Sequence, residues 1–210
     1  ESESRGLGDV YKRQGLKTHV DMTDGFSMEE WAKVIDVAKK HDLMLFEDRK
    51  FADIGRVTET QMAGMYDIRS WADLVTSHSV SGPDIVDGIA SAWDSVQRVG
   101  GVLLLAQMSS RGNLLDASYT DRTMEIGTSS PHVIGYIGNG SNPNEVSELR
   151  EKAGDGKMIW TPGVNLSDNE GALGQRYGHP SDEITAGSDA VIVGSGIHGA
   201  PDGVARASSY

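Results

Sequence analysis

The 210-residue chain is 38% hydrophobic and 24% charged, a globular composition long enough for one sizeable core and unlike that of a disordered chain. Thirty-one acidic against 19 basic residues leave a formal charge of −12, which repels nucleic acid and anionic membranes and admits a small anionic substrate only where a few cations converge in one cleft. With no cysteine, disulfides, thiolate zinc sites and cysteine nucleophiles are excluded, and with neither a bilayer-length apolar run nor an apolar signal segment a cytoplasmic protein is expected.

The opening residues read poorly as part of a fold. Asp9-Val10-Tyr11-Lys12-Arg13-Gln14 resembles the translated end of a sequencing-library adapter. Residues 1–14 are therefore set aside as an adapter-like or disordered leader, and 15–210 are read as one domain. From Leu16 onward short β runs alternate with helical patterns. The first strand is expected over Leu16–Asp21. A helix follows over Met28–His41, with Ser27 as N-cap, Glu30 three residues later, and Trp31, Val34, Ile35 and Ala38 at helical spacing. Strand Leu43–Asp48, helix Asp53–Tyr66, strand Ala72–Ser77, helix Pro83–Val96 and strand Val102–Met108 continue the alternation. Pro83 suits a first helical turn, where a missing N–H costs nothing. Shorter helices over Thr120–Gly127, Asn144–Lys152 and Ser181–Ala186 interleave with strands Val133–Ile137, Lys157–Thr161 and Ala190–Val193.

Several of these strands are apolar on both faces, as in a parallel sheet covered by helices. A closed barrel and an open doubly wound sheet both satisfy that pattern. Seven strands are readable where a (β/α)8 TIM barrel needs eight, and the first would precede Leu16.

Chemistry concentrates in Leu45-Phe46-Glu47-Asp48-Arg49-Lys50-Phe51-Ala52-Asp53-Ile54-Gly55. Strand alternation places Asp48 with Lys50 on one face and Glu47 with Arg49 on the other. Lys17, His19 and Asp21 repeat the arrangement at the end of another strand. Interleaved ammonium and carboxylate groups are a poor stability device, since desolvation offsets most of their attraction. They are a good electrostatic one, with charges fixed before a substrate arrives. The competing reading is a surface salt-bridge ladder, the usual fate of a charge run.

The strings Phe46–Gly55 (FEDRKFADIG) and Lys17–Asp21 (KTHVD) resemble the signature of eukaryotic-type orotidine 5'-phosphate decarboxylases. The likeness continues in order through Trp71–Asp73, Gly82-Pro83, Leu105–Ser109, Tyr119-Thr120, Val133–Gly135, Thr161–Val164, Leu173–Tyr177 and Ile192–Gly194. It implies a cofactor-free TIM-barrel lyase, without a metal, that converts orotidine 5'-phosphate to UMP in pyrimidine biosynthesis and works as a homodimer with shared active sites. Lys17, Asp48, Lys50 and Asp53 would be catalytic, Asp53 reaching the neighbouring subunit's site. Asp48 would lie against the substrate carboxylate, and Lys50 would protonate C6. Ser109 would contact the pyrimidine. Pro162, Gln175 and Tyr177 would belong to a lid whose Gly171 and Gly174 suit closure. Gly194 and Ser195 would form the phosphate cradle after the last strand, and Ile54 would also meet the substrate. His19 is read as a hydrogen-bonded structural residue, the commoner role of a lone strand histidine. His78 and Asp73 lack a third ligand for a metal.

Three departures from the family pattern stand out. Ser195 occupies the place of a phosphate-gripping Arg, with Arg176 nearby. Val57 stands near a position that usually carries a ribose-contacting Thr, with Thr58 beside it. The family's first strand, with its ribose-binding Asp, is expected to be absent from this chain, and the last helix is expected to be short or altered. Two alternatives follow: a nucleotide-binding barrel without turnover, or a Mg2+-dependent sugar-phosphate decarboxylase or aldol-type synthase of the same superfamily, which shares the Asp48–Asp53 spacing.

Overall fold

The computed structural model describes residues 14–167 and 174–210. The leader, apart from Gln14, lies outside them, as does Gly171 of the expected lid. The chain divides into two compact units, up to Val102 and from Leu103 onward.

In the first unit β1 (Gly15–Thr18), β2 (Met44–Phe51) and β3 (Leu74–Ser77) pair in parallel and in chain order. Three helices follow or separate them: α1 (Met28–Lys40), α2 (Gly55–Met62) and α3 (Asp84–Asp94). Ser27 caps α1 as expected, its hydroxyl accepting the amide of Glu30. Every residue of β3 is buried, the signature of a parallel strand covered on both faces. Phe46, Val75, Ile85, Ile89 and Trp93 form the centre of the core, and Trp31 meets Trp71 edge to face at 5.1 Å. Gly55 and Gly88 let α2 and α3 cross at backbone contact: a Cβ on Gly88 would stand 2.2 Å from the Gly55 carbonyl oxygen. Only glycine permits so close an approach.

β4 (Gly101–Leu105) lies at the junction of the two units. In the second unit β5 (Val133–Ile137), β6 (Met158–Pro162) and β7 (Ala190–Ile192) are parallel neighbours. They alternate with α4 (Ala117–Ser129), α5 (Pro143–Ala153) and α6 (Pro180–Thr185), and short helices α7 (Ser195–His198) and α8 (Gly203–Ala207) close the chain. Tyr136, Ile137, Val146, Leu149 and Ile159 are buried here. No described helix is long and apolar enough to cross a membrane.

The expected elements are present with shifted ends. β1 stops at Thr18, not Asp21, because the chain turns into a 3-10 helix over Val20–Met22. β2 runs three residues past Asp48 to Phe51. The helix expected over Asp53–Tyr66 is shorter, starting at Gly55 and ending at Met62. α4 is longer than its weak periodicity indicates, because Asp116 caps it by accepting the amide of Tyr119.

Candidate active site

β2 carries apolar Leu45 and Phe46 into the first unit's core and then presents four charged residues in succession. The centre of the cluster is Asp48, whose side chain is 12% exposed. Its Oδ2 receives Lys50 Nζ at 2.7 Å and Lys17 Nζ at 3.3 Å, and lies 3.4 Å from His19 Nε2. Its Oδ1 accepts the Thr76 hydroxyl at 2.8 Å. The same Thr76 oxygen accepts the backbone N–H of Lys50 at 2.9 Å. Burial opposes ionisation of Asp48, but the His19 hydrogen bond and the Lys50 and Lys17 charges outweigh it. Together they hold the carboxyl well below the ordinary range.

Asp48 and Lys50 meet, though not through a regular pleat. The β2–β3 register is irregular between Glu47 and Phe51, and Lys50 has φ 51°, a left-handed conformation. For a residue with a Cβ this costs roughly 1–2 kcal/mol. Two contacts hold it there, the Thr76 bond to its amide and the ion pair to Asp48.

His19 Nε2 also lies 2.9 Å from Lys17 Nζ. That one nitrogen can accept from the lysine or donate to Asp48, not both at once. Asp21 leaves the face assigned to it: the 3-10 turn swings it to Arg49, 3.0 Å away. Burial and the Lys50 charge push the half-buried His78 imidazole down. Asp73 is occupied structurally, its carboxylate accepting the Leu45 amide at 2.9 Å and pairing with Arg98 at 2.7 Å. Asp53 and Ile54 are exposed and precede α2. The Asp53 carboxylate accepts the Ile54 amide at 2.8 Å and, among the described residues, stays outside the ion-pair cluster. Thr58 is buried with its hydroxyl on the Asp53 carbonyl at 3.2 Å, whereas Val57 is exposed.

In the second unit four of the remaining expected residues, Ser109, Gln175, Tyr177 and Ser195, meet in two contacts, and Pro162 and Gly194 do not join them. Gln175 Nε2 donates to Ser109 Oγ at 3.0 Å, and Arg176 Nε donates to the Ser109 carbonyl at 3.1 Å. Gly163, with φ 78°, makes room for this: a Cβ there would fall 2.8 Å from Ser109 Oγ. Tyr177 and Ser195 share a hydrogen bond of 2.7 Å between their hydroxyls, with Gly194 just before α7. Pro162 ends β6 and Gly174 accepts the Arg111 amide. Sequence reasoning missed Thr76, Gly163 and the part played by Glu47. Thr76-Ser77 closing an otherwise apolar strand was the available signal, because a buried hydroxyl needs a partner.

Parallel strand–helix units with fixed charges at a strand end define the class, an α/β barrel enzyme scaffold. Residues 12–210 match the family described as orotidine 5'-phosphate decarboxylase / HUMPS. The orotidine 5'-phosphate decarboxylase of Kodamaea ohmeri is 39% identical over 188 residues, covering 88% of this chain and 70% of that protein. The Torulaspora delbrueckii enzyme of the same name is 41% identical over 186 residues, covering 87% and 68%. The crystal structure of orotidine 5'-monophosphate decarboxylase from Methanocaldococcus jannaschii matches with a TM-score of 0.71 at 21% identity, covering 98% of this chain and 90% of that one. The fold is the TIM-barrel class expected from the sequence, with seven strands among the described residues. The chain belongs to the orotidine 5'-phosphate decarboxylase / HUMPS family.

Proposed function

We propose that this chain decarboxylates orotidine 5'-monophosphate to UMP without a cofactor, as a soluble cytoplasmic enzyme of pyrimidine biosynthesis. The observation that carries the reading is one ionised carboxylate, Asp48, in contact with Lys17, His19 and Lys50. At about 4 Å and an effective dielectric near 20, each lysine–carboxylate pair is worth on the order of 4 kcal/mol, against desolvation of similar size. The cluster therefore contributes little to stability and presents fixed charges to a ligand.

Cleavage of the bond between C6 and the carboxylate releases carbon dioxide and leaves an electron pair on C6. An adjacent ammonium stabilises that localised charge more than the delocalised carboxylate that preceded it, so it accelerates the step. Lys50 then delivers its proton to C6 and is recharged from solvent. Asp48 fixes both lysines and places negative charge beside the departing carboxylate. Ser109 contacts the pyrimidine, Ile54 and Pro162 the substrate, and Gln175, Tyr177, Gly194 and Ser195 the phosphate. Exposed Asp53 serves a partner's site in a homodimer, which fits its place outside its own cluster. We also take 15–210 as one domain.

The test follows loss of orotidine 5'-monophosphate absorbance with the whole chain. Lys50→Ala should lower turnover on the order of 10^2- to 10^4-fold or more while secondary structure persists. A wild-type chain without turnover, or substantial turnover in the variant, overturns the assignment.

A further inference from the structure

Glu47 takes no part in the cluster around Asp48, yet it is fully buried. Its Oε2 accepts the Thr18 hydroxyl at 2.6 Å, and its Oε1 and Oε2 lie 3.1 and 3.2 Å from the backbone N–H of Val20. Asp48, the next residue, takes Lys17 and His19. Four consecutive residues at the exit of β1 are thus held alternately by two consecutive carboxylates of β2: 17 and 19 by Asp48, 18 and 20 by Glu47.

The Val20 amide lies where the chain leaves the β1–β2 ladder and turns. A buried N–H there needs an acceptor. An aliphatic side chain would fill the space and leave that donor unpaired, which is costly in a buried position. Burying a carboxyl is itself unfavourable, and it is tolerated here because donors surround it. Burial outweighs the Thr18 and Val20 hydrogen bonds and lifts the Glu47 carboxyl to about 7.

We propose that Glu47 is a positioning residue for the decarboxylation: by clamping Thr18 and Val20 it fixes where the Lys17 ammonium and the His19 ring stand against Asp48. The inference rests on the function proposed above. Misplacement of a reacting group by about 1 Å costs on the order of 10^2-fold, so a backbone clamp one strand away from the reacting atoms has leverage on the rate.

The experiment compares Glu47→Ala, Glu47→Gln and Thr18→Val in the full chain. It reads kcat and KM for orotidine 5'-monophosphate, together with the imidazole NMR signals of His19 assigned with a His19→Asn variant. Glu47→Ala should lower kcat about 10- to 100-fold with a much smaller change in KM, and should shift the His19 signals. Glu47→Gln keeps a carbonyl for the Val20 amide and should restore most of the loss. Thr18→Val, which spares the carboxylate and covers the case in which Glu47→Ala does not fold, should move kcat and His19 in the same direction by less. If folded Glu47→Ala and Thr18→Val keep kcat and His19 where the wild type has them, or if Glu47→Gln is as impaired as Glu47→Ala, the proposal is wrong. A wild-type chain with no turnover refutes the proposed function instead, and the His19 signals alone then decide whether the clamp exists.

Discussion

Asp48 and Glu47 are adjacent carboxyls with opposite electrostatics, and the difference lies in their neighbours. Asp48 faces three cationic or imidazole groups and is held ionised. Glu47 is hydrogen-bonded only by the neutral donors Thr18 and Val20 and is raised to about 7, chiefly by burial. An acid whose folded value is raised from 4.5 contributes stability that is complete below 4.5 and lost as the pH rises through about 7. Over that window Glu47 should account for about 3 kcal/mol. Buried Glu183, raised by burial and by the Asp182 charge, acts in the same direction. Denaturant midpoints should therefore fall between pH 5 and pH 8, and Glu47→Gln should flatten that fall; a wild-type profile flat across this range would contradict both assignments. A separate outcome is expected at Ser195, which now meets Tyr177. Ser195→Arg adds a fork of donors suited to a phosphate. Its KM for orotidine 5'-monophosphate should drop about tenfold, the value of a charge-assisted hydrogen bond.

Elements were more legible than their ends. Alternation of apolar strands with amphipathic helices is a local property of the chain, so each strand and the six longer helices were readable in order. The exit of β1 was not, because the acceptor for the Val20 amide at the start of the 3-10 turn comes from Glu47, a residue 27 positions away. The pairing of Asp48 with Lys50 was expected for the wrong reason. A period-2 pleat was assumed, whereas a left-handed Lys50 and a register irregularity bring the side chains together. This makes a prediction specific to the element. Glycine accepts a positive φ freely, whereas alanine does so only at a cost. Lys50→Gly should therefore be more stable than Lys50→Ala by about 1 kcal/mol, as read from denaturant midpoints, with both inactive. Equal stability would show that the bend relaxes once the lysine is gone. In the second unit Gly163→Ala should disturb Gln175 and Ser109 together and lower kcat/KM, since its Cβ would meet both side chains.

For the molecule as a whole, composition narrowed the partner class and the ordered motifs supplied the family. Neither could reveal which side chains touch. The roles of Thr76 and Gly163 depend on packing between segments distant in sequence. The net charge of −12 sets an anionic substrate against an acidic surface, so the lysines of the cluster must supply the local attraction. Raising ionic strength should weaken that attraction, because Lys17 and Lys50 remain partly open to solvent, their side chains 24% and 37% exposed. Lysine ammonium groups also suffice for the proposed chemistry. Turnover should persist after exhaustive treatment with a chelator, and loss that is restored by Mg2+ would favour the sugar-phosphate branch of the family.

The close crossing at Gly55 and Gly88 has a bearing on Asp53. Two backbones in contact act as a fulcrum, and the residues just ahead of it have nowhere to drift. A single added methyl group at Gly88 would force α2 and α3 apart and so disturb Asp53, the residue proposed above to serve a partner's site. In the proposed homodimer, an enzyme damaged there would keep all its functional side chains and still lose rate.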